Sequence, residues 1–408
     1  MATDATSNAT QPVILGGGGS STAMPFVRPA IPPFEEVQAP LREVFASRMV
    51  TTGPYAEQLG EKMREHLDCR HAVAVSSCTT GLVLALQAMQ LPAGSEVIVP
   101  SFTFMATGTP LIWNRLRPVF ADIDAHTINL DPKAVEAAIT PRTSAIVGVH
   151  QFGNPAPIEA LQDMADRNGL ALAFDAAHGL GTRYRSKAVG GYGNFSAFSL
   201  SPTKLVIAGE GGIVSTDDAS LAEQVRYARN YGNPGNYDCL YPGLNARMSE
   251  LHALMALTSA KRLAQAVHNR NRMVSLYRQR LEQLPGIRFQ QIDERDQCSY
   301  KDMCVVIDPE AFGLNRDQLI EALEAEGVMT KVYYQPILHQ MTAFAAYAPE
   351  EMDARFPNSV YLAQNSVCLP LYSDMSEDEV DRVCSAVELI QAYAPQIRRR
   401  MTGKSAAS

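Results

Sequence analysis

The chain has 408 residues, of which 46% are hydrophobic and 19% are charged, and its formal net charge is −8. This length is large for one compact domain, so we expect a large domain and a smaller one. The acidic balance argues against nucleic acid and acidic membrane surfaces as partners, because both attract basic proteins. Seven cysteines without a CxxC pair fit neither a disulfide framework nor a metal site. We therefore expect reduced thiols, no bound metal and a cytoplasmic location. No stretch approaches the roughly 18 apolar residues that are needed to span a membrane, so we also expect no membrane span.

The first 24 residues are rich in Ala, Thr, Ser and Gly, with glycines at positions 16–19. Such a composition buries little apolar surface, so residues 1–24 are predicted to form a flexible tail. Prolines at positions 25, 29, 32 and 33 then predict an extended segment before a helix over 35–48.

Helical and strand patterns alternate from residue 56 to about residue 275. Helices are predicted over 57–67 and 78–91, and short apolar strands are predicted over 71–77, 96–101, 117–124, 144–150 and 170–177. This alternation is typical of a largely parallel sheet with helices on both faces. We therefore predict an α/β fold whose large domain covers residues 25–275.

Residues 249–284 predict one long helix, or one with a single break, that ends before Pro285. The pattern changes at SYKDMCVVID, which is followed by a helix over 317–327 closed by Gly327 and a strand over 329–336. A final helix over 377–393 precedes a basic end. Residues 276–408 are therefore predicted to form a smaller C-terminal α+β domain.

Ligands of open α/β sheets bind at the carboxyl ends of the strands, so polar residues there are the candidates for a site. The segment SSCTTGL (76–82) joins a strand to a helix, and its small residues and free N–H groups suit a phosphate. Serine and threonine are also the ordinary caps of a helix, so both interpretations stay open.

Asp175 ends an apolar strand in LALAFDAAH (170–178), where a buried carboxylate needs a partner. A protonated pyridine nitrogen would be such a partner. An N-cap or a structural ion pair would serve equally well. His178, three residues later, could reach the same site or pack against the sheet.

Lys204 lies between a strand and a glycine-rich turn at 209–212, with several hydroxyl groups nearby, among them Ser199. An amine in a partly desolvated pocket has a lowered pKa and attacks carbonyls, whereas a loop lysine is commonly solvated. In the segment PSFTFMAT, Phe102 or Phe104 could stack on a planar cofactor or belong to the core.

Taken in order, the motifs SPTK with GEGG, DAAH, PSFTF and GLNARMSE (243–250) closely resemble those of the DegT/DnrJ/StrS family. The members of this family are sugar aminotransferases that depend on pyridoxal phosphate (PLP). The resemblance runs from about residue 26 to the C-terminal helix. It implies the fold type I architecture of PLP-dependent transferases, with PLP as the cofactor.

By that resemblance, Lys204 is the catalytic residue, which binds PLP as a Schiff base and then moves a proton during amino transfer. Asp175 would pair with the pyridine nitrogen. Phe104 would stack on the cofactor ring, and His178 would lie near the substituents of the ring.

The resemblance also implies that Cys78, Thr79 and Ser199 hold the phosphate of the cofactor. Asn245 would reach the cofactor of a neighbouring subunit, so the chain would form a homodimer with two shared sites. The phosphate turn reads SCT here where the family commonly has SGT. The backbone N–H of Cys78 can still bind an anion.

Two further segments resemble the substrate-binding parts of the family. The loop YQPILH (334–339) implies Tyr334 and His339 as substrate contacts, and the segment TGPY (52–55) implies Thr52 and Gly53. For His339, a role as a satisfied structural histidine is an equal alternative.

Some members of the family are dehydratases with histidine in place of the lysine, so Lys204 favours amino transfer. The resemblance implies L-glutamate as donor and a dTDP-linked 4-keto-6-deoxyhexose as acceptor, giving a 4-amino-4,6-dideoxy sugar. Transfer at C-3 of a 3-keto sugar stays open, because these motifs do not separate the two. A PLP-binding regulator without turnover is a further alternative, although the chain is acidic and has no basic helix-turn-helix segment.

Overall fold

The computed structural model describes residues 11–18, 22–348 and 351–405. A seven-stranded sheet forms the large domain, a three-stranded sheet belongs to the smaller domain, and a two-stranded hairpin completes the β structure of this part of the chain. The strands are β1 (His71–Val75), β2 (Glu96–Pro100), β3 (Arg117–Ala121), β4 (Thr143–Val149), β5 (Ala171–Asp175), β6 (Arg183–Tyr184), β7 (Lys187–Ala188), β8 (Phe195–Ser199), β9 (Gly212–Thr216), β10 (Ile287–Phe289), β11 (Met303–Ile307) and β12 (Ser366–Leu369).

The helices follow the strands in alternation through the large domain and cluster at the C-terminus. None of those in the described residues is both long and apolar enough to cross a membrane. They are α1 (Phe34–Ser47), α2 (Pro54–His66), α3 (Cys78–Ala88), α4 (Met105–Trp113), α5 (Pro132–Ala138), α6 (Ile158–Asn168), α7 (Ala219–Ala228), α8 (Glu250–Ala260), α9 (Leu263–Leu281), α10 (Pro309–Phe312), α11 (Arg316–Ala325), α12 (Pro357–Asn365), α13 (Glu377–Ala392) and α14 (Ala394–Ser405).

The seven-stranded sheet has the order β1-β9-β8-β5-β4-β2-β3. Neighbouring strands from β8 to β3 run parallel, whereas β9 is antiparallel to both β1 and β8. The prediction of an α/β fold with a mostly parallel sheet is therefore confirmed. The carboxyl ends of β4, β5 and β8 lie side by side and border a cavity, which is where open sheets bind their ligands.

Alternate residues of the parallel strands supply two hydrophobic clusters, one on each face of the sheet. Ile98 and Ile146 pack with Leu59 of α2 on one face. Val97 and Val147 pack on the other face. Because both faces are covered, the strands are apolar along nearly their whole length, which is the pattern that identified them in the sequence.

The small domain is built on the antiparallel sheet β10-β11-β12 and the second half of α9. Met273 and Leu281 of α9 lie in the small-domain cluster, whereas Leu263 and Val267 of the same helix lie in the large-domain cluster. One helix therefore passes from the first core to the second. The long helix expected over 249–284 has its single break between α8 and α9. The domain boundary at residue 275 stays a prediction.

The N-terminal segment differs from the predicted flexible tail wherever it is described. Val13–Leu15 forms a 3-10 turn, and Ile14 and Met24 are buried in the small-domain cluster. The tail prediction was therefore wrong for the described residues before residue 25, because two apolar side chains in a polar segment complete a core formed elsewhere. The rest of the tail, 1–10 and 19–21, lies outside the described residues.

Two parts of the small domain also differ from prediction. The strand expected over 329–336 does not form, and one isolated bridge between Lys331 and Cys368 stands in its place. The chain leaves the sheet after this bridge because Tyr333 and Tyr334 turn toward Phe152 of the large domain. The basic C-terminal residues continue as α14, which the composition did not indicate.

Candidate active site

A cavity of about 300 Å³ lies at the carboxyl ends of the parallel strands, between the two domains. The large domain contributes the ends of β4, β5 and β8 and the start of α3. The small domain contributes Lys301 and the loop that contains Tyr333 and Tyr334. The cavity is lined by Ser77, Cys78, Thr79, Thr103, Phe104, Ala106, Val149, Asp175, Ala177, His178, Ser199, Ser201, Thr203, Lys204, Glu210, Gly211, Lys301, Tyr333 and Tyr334.

Most of the residues proposed from the sequence meet in this cavity. Those that line it are Cys78, Thr79, Phe104, Asp175, His178, Ser199, Lys204 and Tyr334. Those that do not are Thr52, Gly53, Asn245 and His339.

Asp175 is buried at the end of β5, and both of its carboxylate oxygens accept hydrogen bonds. Thr107 Oγ1 donates to Oδ2 at 2.7 Å, and the N–H of Ala177 donates to Oδ1 at 3.0 Å. Burial raises the pKa of Asp175, while these hydrogen bonds and the charge of Lys204 act in the opposite direction. The carboxylate is thus held in place in a site that favours a cationic partner.

Lys204 is half-buried in the loop after β8, where its N–H bonds to the carbonyl of Ser201 at 3.0 Å. Burial, and next the positive charge of Lys301, lower the pKa of Lys204 to about 8. A larger share of this amine is therefore neutral near neutral pH than in an exposed lysine, and a neutral amine is the nucleophilic form.

The start of α3 supplies backbone N–H groups for an anion. Ser77 caps the helix, accepting from the N–H of Thr80 while the Thr80 hydroxyl accepts from the N–H of Ser77. The N–H groups of Cys78 and Thr79 have no acceptor within the helix, because its hydrogen bonds begin with the N–H of Gly81 donating to the carbonyl of Ser77, and both residues line the cavity. Burial raises the pKa of the Cys78 thiol well above its usual range, so this residue offers its N–H and no negative charge.

A glycine behind this turn keeps it close to the sheet. A Cβ added at Gly212 would lie 2.5 Å from the backbone nitrogen of Cys78. Ser199 lies at the cavity border, and its Oγ accepts from the N–H of Ser201 at 3.4 Å. Gly212 pairs with Ser199 across β8 and β9, so the Ser199 hydroxyl and the N–H groups at the start of α3 lie near each other beside the cavity, as a phosphate site requires.

The two phenylalanines of the PSFTF motif have different environments. Phe102 is 1% exposed and packs edge-on against Tyr334, with ring centroids 5.4 Å apart. Phe104 is 49% exposed and lines the cavity. Phe104 is therefore available to stack on a planar ligand, whereas Phe102 belongs to the core.

His178 is held as a neutral acceptor. Its Nδ1 accepts from the N–H of Phe152 at 3.3 Å, and the two rings are stacked. Burial, followed by the positive charges of Lys204 and Lys301, lowers the pKa of His178 well below its ordinary value. The neutral imidazole therefore carries its proton on Nε2, which is a donor for a group in the cavity.

His339 lies outside the cavity and joins two loops. Its Nδ1 is 2.6 Å from Ser101 Oγ, and its Nε2 is 2.7 Å from Asp353 Oδ1. Both ring nitrogens have partners, so the structural alternative for His339 agrees with this geometry.

Thr52, Gly53 and Asn245 are likewise placed away from the cavity of their own chain. The N–H of Gly53 donates to Oε1 of Glu250 at 3.1 Å, in the turn that starts α2. Asn245 forms an isolated antiparallel bridge with Asn230. A contact of these residues with cofactor or substrate would have to be made in another subunit, and it stays a prediction.

Two charged residues of the site, Lys301 and Asp302, lie outside the motifs that predicted the other site residues. Lys301 lines the cavity and pairs with Asp302, and both side chains are almost fully buried. A lysine and an aspartate directly before the apolar run MCVVI are out of place at the start of a buried strand. These two charges beside a buried strand could have marked functional residues in the sequence. They do not indicate which domain the ion pair faces.

The sequence pattern of the DegT/DnrJ/EryC1/StrS aminotransferase family matches residues 34–388. The chain belongs to this family. SpsC, a spore coat polysaccharide biosynthesis protein of Bacillus subtilis (strain 168), is 34% identical over 366 residues, which cover 86% of this chain and 93% of SpsC.

Two solved structures of this kind are similar over almost the whole chain. DesI, crystallised in the presence of its TDP-sugar product, has a TM-score of 0.88 at 35% identity and covers 98% of this chain and 100% of its own. DesV of S. venezuelae, solved in complex with a ketimine intermediate, has a TM-score of 0.84 at 31% identity. The match covers 92% of this chain and 99% of DesV.

Members of this family are PLP-dependent, so the chain is a PLP-dependent aminotransferase, as its motifs implied. The cavity fits the cofactor. A buried carboxylate at Asp175 suits a cationic ring nitrogen, and the N–H groups at the start of α3 suit a phosphate. An amine with a lowered pKa at Lys204 suits the aldehyde.

Proposed function

We propose that the protein transfers the amino group of L-glutamate to C-4 of a dTDP-linked 4-keto-6-deoxyhexose, giving a 4-amino-4,6-dideoxy sugar. The observation that carries the proposal is the meeting of Lys204 and Asp175 with the start of α3 in one cavity, within a family of sugar aminotransferases. The likeness to DesI, which was crystallised with a TDP-sugar product, supports a thymidine nucleotide on the acceptor.

Each residue of the cavity has a task in this reaction. PLP, when bound, supplies an electron sink that stabilises negative charge at the reacting carbon. Lys204 Nζ would act as base and acid, taking the proton from the Cα of the donor in the first half-reaction and delivering a proton to C-4 of the sugar in the second. Asp175 would hold the ring nitrogen of the cofactor and favour its protonated form, and Phe104 would stack on the ring.

We further propose that the enzyme is a cytoplasmic homodimer with shared sites. Asn245 does not line the cavity of its own chain, and it would complete the site of the partner. The cysteines are free thiols, and of these only Cys239 is exposed. Free thiols of this number support a reducing compartment.

A panel of dTDP-linked keto-6-deoxyhexoses tests the reaction. The holoenzyme is incubated with L-glutamate and each sugar, and NMR locates the new amine. An amine at C-4 supports the proposal, an amine at C-3 selects transfer to a 3-keto sugar, and product from neither sugar excludes both reactions.

Lys204→Ala is the matched control for this panel. We expect it to lose the covalent cofactor absorbance and all turnover while it keeps the fold, because the reacting amine is absent. Retention of the covalent band would contradict the role of Lys204. A wild-type protein whose yellow colour is unaffected by every amino donor would instead favour a PLP-binding regulator.

A further inference from the structure

We propose that Lys301, held in place by Asp302, binds the α-carboxylate of the amino donor. This inference rests on the proposed function and adds a substrate-binding residue to it. Lys301 belongs to the small domain, yet it lines the cavity together with Lys204.

The first observation is a buried ion pair at the cavity. Lys301 Nζ lies 2.8 Å from Oδ1 and 2.9 Å from Oδ2 of Asp302. The side chains are 2% and 3% exposed. Buried ion pairs contribute little net stability, because the loss of hydration offsets the attraction between the charges. Stability alone therefore gives no reason for this pair, and its position at a reactive cavity suggests a task there.

The second observation is the way in which the backbone of Lys301 is fixed. Its N–H donates to the carbonyl of Phe152 in the large domain at 2.9 Å. Arg270, which is buried, donates from Nη1 to the carbonyls of Tyr300 and Lys301 at 2.9 and 3.0 Å. Tyr300 itself has a φ of 46°, in the left-handed region that non-glycine residues avoid. This segment thus holds one ammonium group at a defined place between the domains.

The third observation concerns the charge that the cavity must accept. The α-carboxylate of an amino acid is attached to the reacting carbon, so it must enter the cavity close to Lys204. A buried carboxylate needs a charged or hydrogen-bonding partner. The cationic side chains that line the cavity in the described part of the chain are Lys204 and Lys301. Lys204 has to be neutral to act as nucleophile and base, so Lys301 is the cation that this chain offers to the carboxylate.

Asp302 explains how one site can serve two different substrates. The cavity alternately receives an anionic amino acid and the uncharged reacting end of a keto-sugar. Two hydrogen bonds from the ammonium group go to Asp302, and the third N–H stays available. The pair is neutral when the sugar is bound, so no unpaired charge is left buried.

The experiment compares the two half-reactions of the holoenzyme in Lys301→Met/Asp302→Asn, which removes both charges together. The glutamate half-reaction is measured as the decrease in the visible absorbance of the PLP form of the enzyme, over a range of glutamate concentrations. We expect the apparent affinity for glutamate to fall about 10- to 100-fold, because one charge-assisted hydrogen bond is lost. Lys331→Met, an exposed lysine of the same domain, is the matched control and should stay within about twofold.

The reverse half-reaction separates binding from structure. The amino sugar found in the panel carries no carboxylate, so its half-reaction should change less than about threefold in the double variant. Equal losses with glutamate and the amino sugar would indicate a structural role and overturn the proposal, as would unchanged affinity for glutamate. A wild-type enzyme that reacts with no amino acid at all would instead overturn the proposed function itself, and this assignment with it.

Discussion

The hydroxyl of Thr107 donates a 2.7 Å hydrogen bond to Asp175, the carboxylate at the end of β5. Because the single hydroxyl hydrogen is used in this bond, Thr107 must accept from Thr103, whose oxygen is 2.9 Å away. Both threonines are 1% exposed. A short chain of hydroxyl groups therefore orients the carboxylate toward the cavity.

Thr107→Val should weaken cofactor binding by about tenfold or more, since a hydrogen bond to a charged group contributes about 1.5–3 kcal/mol. Titration of the cofactor-free protein with PLP, followed by absorbance, measures the loss. Thr103→Val is the matched control. It removes a hydroxyl that reaches Asp175 only through Thr107, so its effect should be clearly smaller, and an equal effect would argue against the orienting role.

The amine of Lys204 should show its lowered pKa in the pH dependence of cofactor capture. In the cofactor-free protein its pKa is about 8, so the rate of PLP capture should rise about tenfold per pH unit below that value and level off above it. Stopped-flow absorbance measures this rate. A rate that continues to rise to the ordinary pKa of lysine would contradict the desolvated site.

The same shift predicts a rise in stability with pH. Because the folded pKa of Lys204 lies below the unfolded value, the unfolded chain binds more protons between the two values. This group therefore lowers stability fully below about pH 8, and the loss diminishes as the pH rises toward the unfolded value. Urea unfolding of cofactor-free wild type and Lys204→Met at about pH 7 and about pH 9.5 tests it, with the wild type gaining relative to the variant.

Glu250 should be a strong stabilising residue although it lies outside the cavity. Its carboxylate accepts from the N–H groups of Gly53, Tyr55 and Ala56 at 3.1, 2.8 and 3.0 Å, at the start of α2. Glu250→Gln should cost about 2–3 kcal/mol in the free energy of unfolding, because the amide presents a donor where a donor already points. Glu57→Gln, which changes an exposed residue of α2, is the control and should have little effect on the free energy of unfolding in urea.

The shared-site proposal predicts complementation between two inactive chains. Lys204→Ala lacks the amine, and Asn245→Ala lacks the residue proposed to serve the partner. When equal amounts of the two chains combine at random, about half of the dimers contain one chain of each kind. Each of these mixed dimers has one intact site out of two, so the mixture should recover about a quarter of the wild-type activity. Assay after unfolding and refolding the mixture measures it. No activity in a mixture shown to contain mixed dimers would argue against sharing.

The cofactor half of the site was predictable because it is local. Asp175 and Ser199 are the last residues of short apolar strands, and Lys204 lies in the loop after β8, while the topology of a parallel sheet brings strand ends together. Motifs of this kind depend on a few neighbouring residues, so they are visible in a linear sequence.

Packing between distant segments decided the rest. Ile14 and Met24 lie in a polar stretch, yet they are buried in a hydrophobic cluster whose other buried residues begin at Met273, far along the chain. His339 belongs to a loop that resembles a substrate loop, but its two ring nitrogens form hydrogen bonds with Ser101 and Asp353.

The sequence by itself determined the α/β fold and the residues that suit PLP, because the periodicity of apolar residues and the strand-to-helix turns are local properties. Only the tertiary structure decided that Lys301 enters the same cavity as Lys204. That meeting depends on α9 crossing between the cores and on Arg270 clamping the segment before β11. Such contacts depend on how the domains pack, and no short stretch of sequence contains them.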